Sequence, residues 1–508
     1  HFFARMRDLA RQVSEAYVEQ RQREEYPWIE AQPVAGDRLK VEGFESQTST
    51  SNLQPSTYLL EIGVEELPPG DLVDAIAQLE AGVPRLLDEL RLGHGDIRVF
   101  GAPRRLAVLV DALAPRQSDL ESQVKGPPAE RAFDAAGAAT PAAVGFARKN
   151  GVAVEELQVR EEGGGRYVFA IVRREAQPAL DVLPAALSGL VAGIKFGKTM
   201  RWNASNVAFS RPIRWFVSLW GETIVPFAYA GLIAGRTTRG PRAAGSPELP
   251  VASADAYLPL MAEHQVMVDR QARRQAIAAQ IAEQAAQVGG EIPDDPALLD
   301  EVTDLVEQPT ALRGSFEEAY LRLPKEVLIT VMKKHQRYFP IVRAGAAEAA
   351  MLPYFITVRN GPAEHGDIVI EGNEGVIRAR YADAAYFFRA DSARPLEAFT
   401  PRLATLTFQE KLGSMLDKVQ RVERLVAPLA GQLGLDAAER ATAQRAASLF
   451  KSDLATQMVV ELTSLQGIMG REYARRSGET EAVANAIYEH YLPRFQGDAA
   501  PASKPGLL

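Results

Sequence analysis

Apolar positions at Phe2, Phe3, Met6, Leu9, Ala10, Val13, Ala16 and Tyr17 are spaced by three and four, which predicts a helix to about Glu25. Pro27 punctuates its end. From Glu30 to about Ser56 the periodicity disappears and Ser, Thr, Gln, Gly and Pro dominate, as in a linker. TYLLEIGVEELPP then reads as a strand, and Asp71 as the cap of a helix running to about Leu92. IRVFGAPRRLAVLV predicts strand, turn and strand, with Pro103, Arg104 and Arg105 at the turn. EEGGGRYVFAIVRR predicts a hairpin arm behind a glycine turn. Val182, Leu183, Ala186, Leu187, Leu190, Val191 and Ile194 mark an amphipathic helix with Pro184 in its first turn. From about Leu403 the pattern is helical, and residues 437–492 contain no proline. GDAAPASKPGLL predicts a disordered end. Strands and helices mix without regular βαβ spacing, so the expected class is α+β: a multidomain mixed body followed by an all-α part.

A chain of 508 residues suggests roughly three or four domains. Its 46% hydrophobic and 24% charged residues are ordinary for a globular protein. No apolar run approaches the roughly 20 residues that span a membrane, and the basic start lacks the apolar core of a secretory signal. The chain begins with His rather than Met, as a fragment or processed form would. The absence of cysteine excludes disulfides, zinc–thiolate sites and thiol nucleophiles, and fits a reducing compartment. The six histidines, at 1, 94, 264, 335, 365 and 490, form no H-x-x-x-H pair, so no metal site is expected. A net charge of −8 rules out a generic nucleic-acid coat and restricts any RNA contact to local basic patches.

One such patch surrounds GIKFGKTMRWNASN, Gly193 to Asn206. Its Gly-Lys-Thr suggests a phosphate-cradling loop, but the preceding glycine is one residue out of register and a helix precedes it instead of a strand. Residues 182–221 contain no Asp or Glu, yet carry Lys195, Lys198, Arg201, Arg211 and Arg214 among Trp202, Phe209, Trp215 and Phe216. Basic groups there can neutralise phosphates. The aromatics stack on bases if exposed, or, the more economical reading, form the core of a strand. A second acid-free patch, GRTTRGPR, holds Arg236, Arg239 and Arg242. A third, TVMKKHQRYFPIVR, holds Lys333, Lys334, His335 and Arg337 beside Tyr338 and Phe339. Lys198, Arg201, Arg211, Arg214, Arg236, Arg239, Lys333, Lys334 and Arg337 are therefore the candidate RNA-binding residues, each with a surface or core role as the competing explanation.

Carboxylates offer less. Glu65 and Glu66 are adjacent and, on a strand, face opposite sides. Arg380 and Asp383 are placed to pair on one helix face, a structural rather than catalytic arrangement. Asp453 follows Ser452 where a metal phosphohydrolase of the HD type needs a His-Asp doublet, and no histidine lies between His365 and His490.

Several stretches together carry a resemblance: LLEIGVEELPP, GAPRRLAVLV, VKGPP, GFARKNGV, KTMRWNASNVAFSRPIRWFVSLWG, LPKEVLITVMKKHQRYFPI, FITVRNG, GNEGVIRARYADAAYFFRAD, KLGSMLDKVQRVERL and KSDLATQMVVELTSLQGIMGREYA. In this order, from about Thr57 to Asp498, the chain resembles the beta subunit of bacterial-type glycyl-tRNA synthetase. Residues 1–29 resemble the C-terminal tail of the alpha subunit, so the whole looks like a fused alpha–beta form truncated at both ends. The resemblance implies an alpha-tail helix (1–29), a linker (30–56), an N-terminal α+β part (57–175), a central α+β part with the basic patches (176–345), a connection (346–401) and an HD-like helical domain (402–508). It implies a tRNA-binding and positioning role in ATP-dependent glycine–tRNA ligation. ATP and Mg would bind in the absent alpha region, and this fragment would hold no catalytic residue and be inactive alone. Expected partners are tRNA(Gly) and the alpha catalytic region, in a homodimer of fused chains or an alpha2–beta2-like assembly, with no membrane. The expected compartment is the cytoplasm, or the plastid stroma. A non-catalytic scaffold and a degenerate HD phosphohydrolase are the alternatives. Where the family often has Gly-His-Arg, this chain has Gly240-Pro241-Arg242, which leaves no side chain for any role of that histidine.

Overall fold

A computed structural model describes residues 2–23, 54–134, 137–345 and 350–508. Helix makes up 48% and strand 22%, the α+β mixture that the pattern predicts. The chain forms two compact units, residues 1–273 with 303–308 and residues 274–302 with 309–508. The linker stretch falls mainly on residues 24–53, outside the described residues.

The first unit opens with helix α1 (Phe2–Arg23), whose apolar positions Met6, Leu9, Val13 and Tyr17 are all exposed. Strand β1 (Ser56–Val64) forms the centre of a five-stranded sheet. It pairs antiparallel with β3 (Arg105–Leu113) and β7 (Ile213–Trp220), with β2 (Ile97–Ala102) and β8 (Thr223–Ile224) at the edges. One face of β1, Tyr58, Leu60, Ile62 and Val64, packs with Leu72, Leu79 and Val83 of α2 (Pro69–Glu89) and Leu183, Leu187 and Val191 of α5 (Ala179–Gly193). The other face carries Leu59, which packs with Ala107, Leu109, Val217, Leu219 and Tyr257 of α6 (Tyr257–Glu263). Burial on both faces explains the nearly continuous apolar run of β1, and makes Glu61 within it a residue that must find polar partners.

A second sheet, β4 (Leu120–Pro128), β6 (Gly165–Arg174) and β5 (Gln158–Glu162), is covered by the short helix α3 (Ala129–Ala132) and α4 (Pro141–Asn150) through Ala132, Ala143 and Val168. The β5–β6 turn uses Gly163 and Gly164, both at positive φ. Small ribbons, β9 (Ala228–Tyr229) with β10 (Leu232–Ile233) and β11 (Thr237–Arg239) with β12 (Glu248–Pro250), complete the unit.

The second unit contains α7 (Arg270–Ala286), which begins in the first unit, and α8 (Pro296–Thr303), with the antiparallel sheet β13–β15–β16–β14. Its strands are β13 (Gly290–Glu291), β14 (Pro309–Ser315), β15 (Phe339–Arg343) and β16 (Met351–Asn360). Helix α9 (Lys325–Thr330) precedes a π-helical turn at Val331–His335. The long helix α10 (Gly366–Ser392) buries Ile377, Tyr381, Ala384 and Phe388 in a core shared with the C-terminal helices. A ribbon, β17 (Thr407–Gln409) with β18 (Gly413–Ser414), precedes α11 (Met415–Gln432), after which every element is helical: α12 (Ala437–Leu449), α13 (Gln457–Glu461), α14 (Ile468–Arg476), α15 (Glu481–Glu489) and α16 (Lys504–Leu507), with short 3-10 turns between. Capping boxes at Ser414–Asp417 and Asp436–Glu439 start α11 and α12.

Four local expectations change. Asp71 lies inside the first turn of α2 instead of capping it, and its carboxylate accepts from the Ser210 hydroxyl. Helix α5 starts earlier than the spacing suggests, so Pro184 lies inside it. Arg380 and Asp383 form no ion pair, whereas Arg378 reaches Glu317 at 4.0 Å. The terminal segment folds back: Ser503 caps α16, its hydroxyl bonds Glu489, and Leu508 packs beside Val426 and Ala430. Composition marked that segment as disordered because it cannot register a docking site supplied by α11 and α12.

Candidate nucleic-acid interface

Beyond α5 the chain leaves helical geometry at Ile194, and Met200 and Phe209 bond each other's main chain at 2.8 and 3.2 Å. That bridge closes a loop which carries Arg201, with Lys198 two residues before the bridge and Arg211 two residues after it. Phe196 and Phe209 anchor it edge to face, 4.7 Å apart, and Trp202 packs half-buried against the same core. Asn203 stiffens the tip by donating to Ala230 O at 2.8 Å and accepting from Ser205. Lys198, Arg201 and Arg211 are exposed and form no ion pair with a described carboxylate. Arg201 Nε and Arg211 Nη1 reach only the carbonyls of Asn206 and Ser210.

The aromatics of this stretch are structural. Phe209, Phe216 and Trp220 are buried, and Trp220 Nε1 donates to Leu113 O at 3.1 Å. Trp215 lies across Gly63, its cross-strand partner, where an added Cβ would sit 1.9 Å from the ring. The ring is flanked by the guanidiniums of Arg104 and Arg105, each 5.8 Å from its centroid.

The other candidates, Lys334 apart, are already engaged. Arg214 Nε lies 3.5 Å from Glu65. Arg236 donates to the carbonyls of Glu222 (2.7 Å) and Ala252 (3.4 Å), which ties the sheet edge to the following loop. Arg239 pairs with Glu248 across β11 and β12 at 2.7 Å. In the second unit the π-helical turn presents Lys334 and His335 to solvent, while Lys333 pairs with Asp295 and Arg337 with Glu301 at 3.0 Å. Arg337 itself is held at φ +54, a conformation that turns the chain sharply into β15. Tyr338 is core: it stacks on Phe355 at 4.8 Å and donates to Asn373 at 2.6 Å. The structure thus gathers Lys198, Arg201 and Arg211 into one open basic loop in the first unit, and Lys334 and His335 onto a turn in the second.

Two groups of buried polar residues escaped the sequence reading. In the first unit, Arg105 opens β3 fully buried, and its Nη1 donates to Glu61 Oε1 at 3.1 Å. The same oxygen accepts from Thr238 (2.8 Å) and Tyr257 (3.1 Å). Glu307 joins Arg104 and Arg105, each at 3.4 Å. Burial alone lowers the Arg105 pKa, but the Glu61 and Glu307 carboxylates outweigh it and raise the value above that of an ordinary guanidinium. In the second unit, Lys451, Asp453, His490 and Tyr491 cluster with Phe450. The Lys451 ammonium sits 3.6 Å over the Tyr491 ring, and burial, opposed by Asp453, pushes its pKa down to about 7. Burial drives Asp453 up to about 6 even though Gly467 N donates to it at 2.6 Å. His490 is pushed down to about 3 by burial and by Lys451, and its Nδ1 donates to Ile487 O at 2.6 Å. The only sequence signal for either group is a charged residue inside an apolar run, such as Glu61 in YLLEIGV.

Glu65 and Glu66 also depart from expectation. Strand β1 ends at Val64, so alternation no longer applies, and both carboxylates converge on Arg242 at 2.5 and 3.2 Å.

Among the described residues no helix is long and apolar enough to cross a membrane, and no group of three or more His, Asp or Glu side chains is placed to hold a metal ion.

Comparison with known proteins gives this surface its context. A family profile described as glycyl-tRNA synthetase beta subunit matches residues 58–508. The glycine–tRNA ligase beta subunit of Moorella thermoacetica is 46% identical over 452 residues, which is 89% of this chain and 64% of that protein. That of Desulforamulus reducens is 45% identical over 449 residues, 88% of this chain and 64% of that protein. The glycine–tRNA ligase named chloroplastic/mitochondrial 2 of Arabidopsis thaliana is 42% identical over 510 residues, covering all of this chain and 47% of the plant protein. The chain therefore spans under two thirds of the length of each of these relatives. With the profile matched from the first strand of the central sheet to the terminal helix, the chain belongs to the glycyl-tRNA synthetase beta subunit family.

Proposed function

We propose that this chain is the tRNA-binding and positioning part of a glycine–tRNA ligase, which attaches glycine to tRNA(Gly) at the expense of ATP. The family match over residues 58–508 carries the reading. The open loop with Lys198, Arg201 and Arg211 supplies the chemistry: three solvent-facing cations without carboxylate partners in a chain of net charge −8. Lys334 adds a second contact, on the π-helical turn. Arg214, Arg236, Arg239, Lys333 and Arg337 serve first to hold the local structure and reach phosphate only by exchanging partners.

ATP, with Mg, and glycine are bound and activated in an alpha catalytic region that joins this chain in the complete ligase. Helix α1, with its exposed apolar face, is the part that resembles the alpha tail, and the all-helical portion within residues 402–508 acts as an HD-like domain. Within that domain Asp453 faces an ammonium, Lys451, and its Oδ2 is taken by Gly467 N, which favours a structural role over phosphohydrolase chemistry. The assembly is a dimer of fused chains or alpha2–beta2-like, at work in a bacterial cytoplasm or a plastid stroma. The plant relative that covers the whole chain is named for an organelle.

Titration of tRNA(Gly) against salt tests the reading. The triple variant Lys198→Ala, Arg201→Ala, Arg211→Ala is expected to bind at least tenfold more weakly near 0.1 M salt, with the log–log salt slope reduced by about two to three. Unchanged affinity and slope in a folded variant would remove these residues from the interface.

A further inference from the structure

The segment after β1 is held from both sides by main-chain bonds. Val64 N donates to Arg104 O at 2.8 Å, Glu65 N to Pro212 O at 2.9 Å and Leu67 N to Pro103 O at 2.7 Å. Glu65 and Glu66 are thus positioned by the backbone, independently of what their carboxylates touch. Those carboxylates engage two arginines from distant segments. Glu65 Oε2 accepts from Arg242 Nη2 at 2.5 Å, Glu65 Oε1 lies 3.5 Å from Arg214 Nε, and Glu66 Oε1 lies 3.2 Å from Arg242 Nη1. All four side chains are between 36% and 50% exposed, so the cluster is a surface feature and none of its members needs the others in order to be buried.

We propose that Glu65 and Glu66 form an acidic clasp over a second phosphate-binding patch, Arg214 and Arg242, which a phosphodiester chain opens by displacing the carboxylates. The inference rests on the RNA-binding reading given above and extends it to a masked site. Solvent-exposed ion pairs exchange partners at little cost, and a phosphate accepts the same forked guanidinium geometry as a carboxylate. Arg211, exposed and without a carboxylate partner, stands three residues before Arg214 on the same segment. A polyanion held first by Arg211, Arg201 and Lys198 raises the local phosphate concentration at the clasp, which a small free anion does not do. The clasp therefore discriminates in favour of long phosphodiester chains over mononucleotides and inorganic phosphate.

The test uses the full chain and the double variant Glu65→Gln, Glu66→Gln, which keeps side-chain size and leaves the main-chain bonds intact. With tRNA(Gly), and in parallel with heparin as a plain polyanion, the variant is expected to bind about fivefold to tenfold more tightly at low salt. Its salt slope should steepen by one to two. In an Arg214→Ala, Arg242→Ala background the glutamine pair should have no effect. The charge-matched control Glu80→Gln, Glu89→Gln, both exposed on α2, should change binding less than twofold. Unaltered binding with both arginines present, or an equal gain without them, overturns the clasp. A gain with heparin and no tRNA binding by any variant leaves the clasp standing and removes the tRNA reading. Thermal melts confirm that each variant is folded.

Discussion

Each unit buries a cluster of ionisable side chains, and the two clusters solve the same problem in opposite ways. Around Glu61 the charges are matched: two arginines, Arg104 and Arg105, face two glutamates, Glu61 and Glu307, with Thr238 and Tyr257 donating to one carboxylate oxygen. Around Lys451 they are not: no ion pair within 4.0 Å joins Lys451 to Asp453, although both clusters leave buried polar atoms without a hydrogen-bond partner, Glu61 Oε2, Arg104 Nε and Arg105 Nε in the first and Asp453 Oδ1, His490 Nε2 and Tyr491 OH in the second. In the first cluster the carboxylates outweigh burial and raise the Arg105 pKa, favouring its charged form, whereas in the second burial shifts Lys451 and His490 down and Asp453 up, in each case towards the neutral form. Matched burial ties β1, β3 and the segment around Glu307 together through Arg105. Unmatched burial stores a proton-linked cost.

The strongest way to break the contrast is to unmatch the first cluster. Glu61→Ala leaves Arg105 buried with a more distant carboxylate, and should lower unfolding stability by about 3–5 kcal/mol in denaturant titration. A loss below about 1 kcal/mol would show that Glu307 alone suffices.

For the second cluster the sign follows from Lys451. Its folded pKa, about 7, lies below the unfolded value, so between pH 7 and 10 the unfolded chain binds more protons and stability rises with pH. The expected rise is roughly 2 kcal/mol from pH 7 to 9, and Lys451→Met should flatten it. At lower pH the effects of Asp453 and His490 oppose each other. Stability falls as pH rises from about 4 to 6 through Asp453, and increases over about 3 to 6.5 through His490, so little net change is expected between pH 4 and 6. Equal pH dependence in wild type and Lys451→Met would remove the contrast.

Gly63→Ala tests the packing beside the matched cluster by driving a methyl into the Trp215 ring, with an expected loss of about 1–3 kcal/mol. The smallest effect is expected for an exposed pair: breaking Arg239–Glu248 with Glu248→Gln should cost under about 1 kcal/mol.

Much of the fold was legible along the chain. The strand at TYLLEIGV, the strand–turn–strand around Pro103 and the glycine hairpin rest on local signals of alternation, proline and positive-φ glycine, and each forms as the pattern implies. The basic loop was visible because a long acid-free interval survives in the linear sequence. What misled were side chains whose partners lie far along the chain. Asp71 has the residue type of a cap, yet Ser210 claims it. Glu65 and Glu66 follow the strand's alternation on paper, but Arg242 gathers both once the strand has ended.

The sequence by itself determined the α+β class, the family and the existence of an acid-free basic stretch, because spacing, serial motifs and charge runs are properties of neighbours. Only the tertiary structure decided which cations remain open. Lys198, Arg201 and Arg211 differ from Arg214, Arg239, Lys333 and Arg337 solely in whether folding brings a carboxylate from elsewhere within about 4 Å, and a charge is neutralised by distance in space, whatever the separation along the chain.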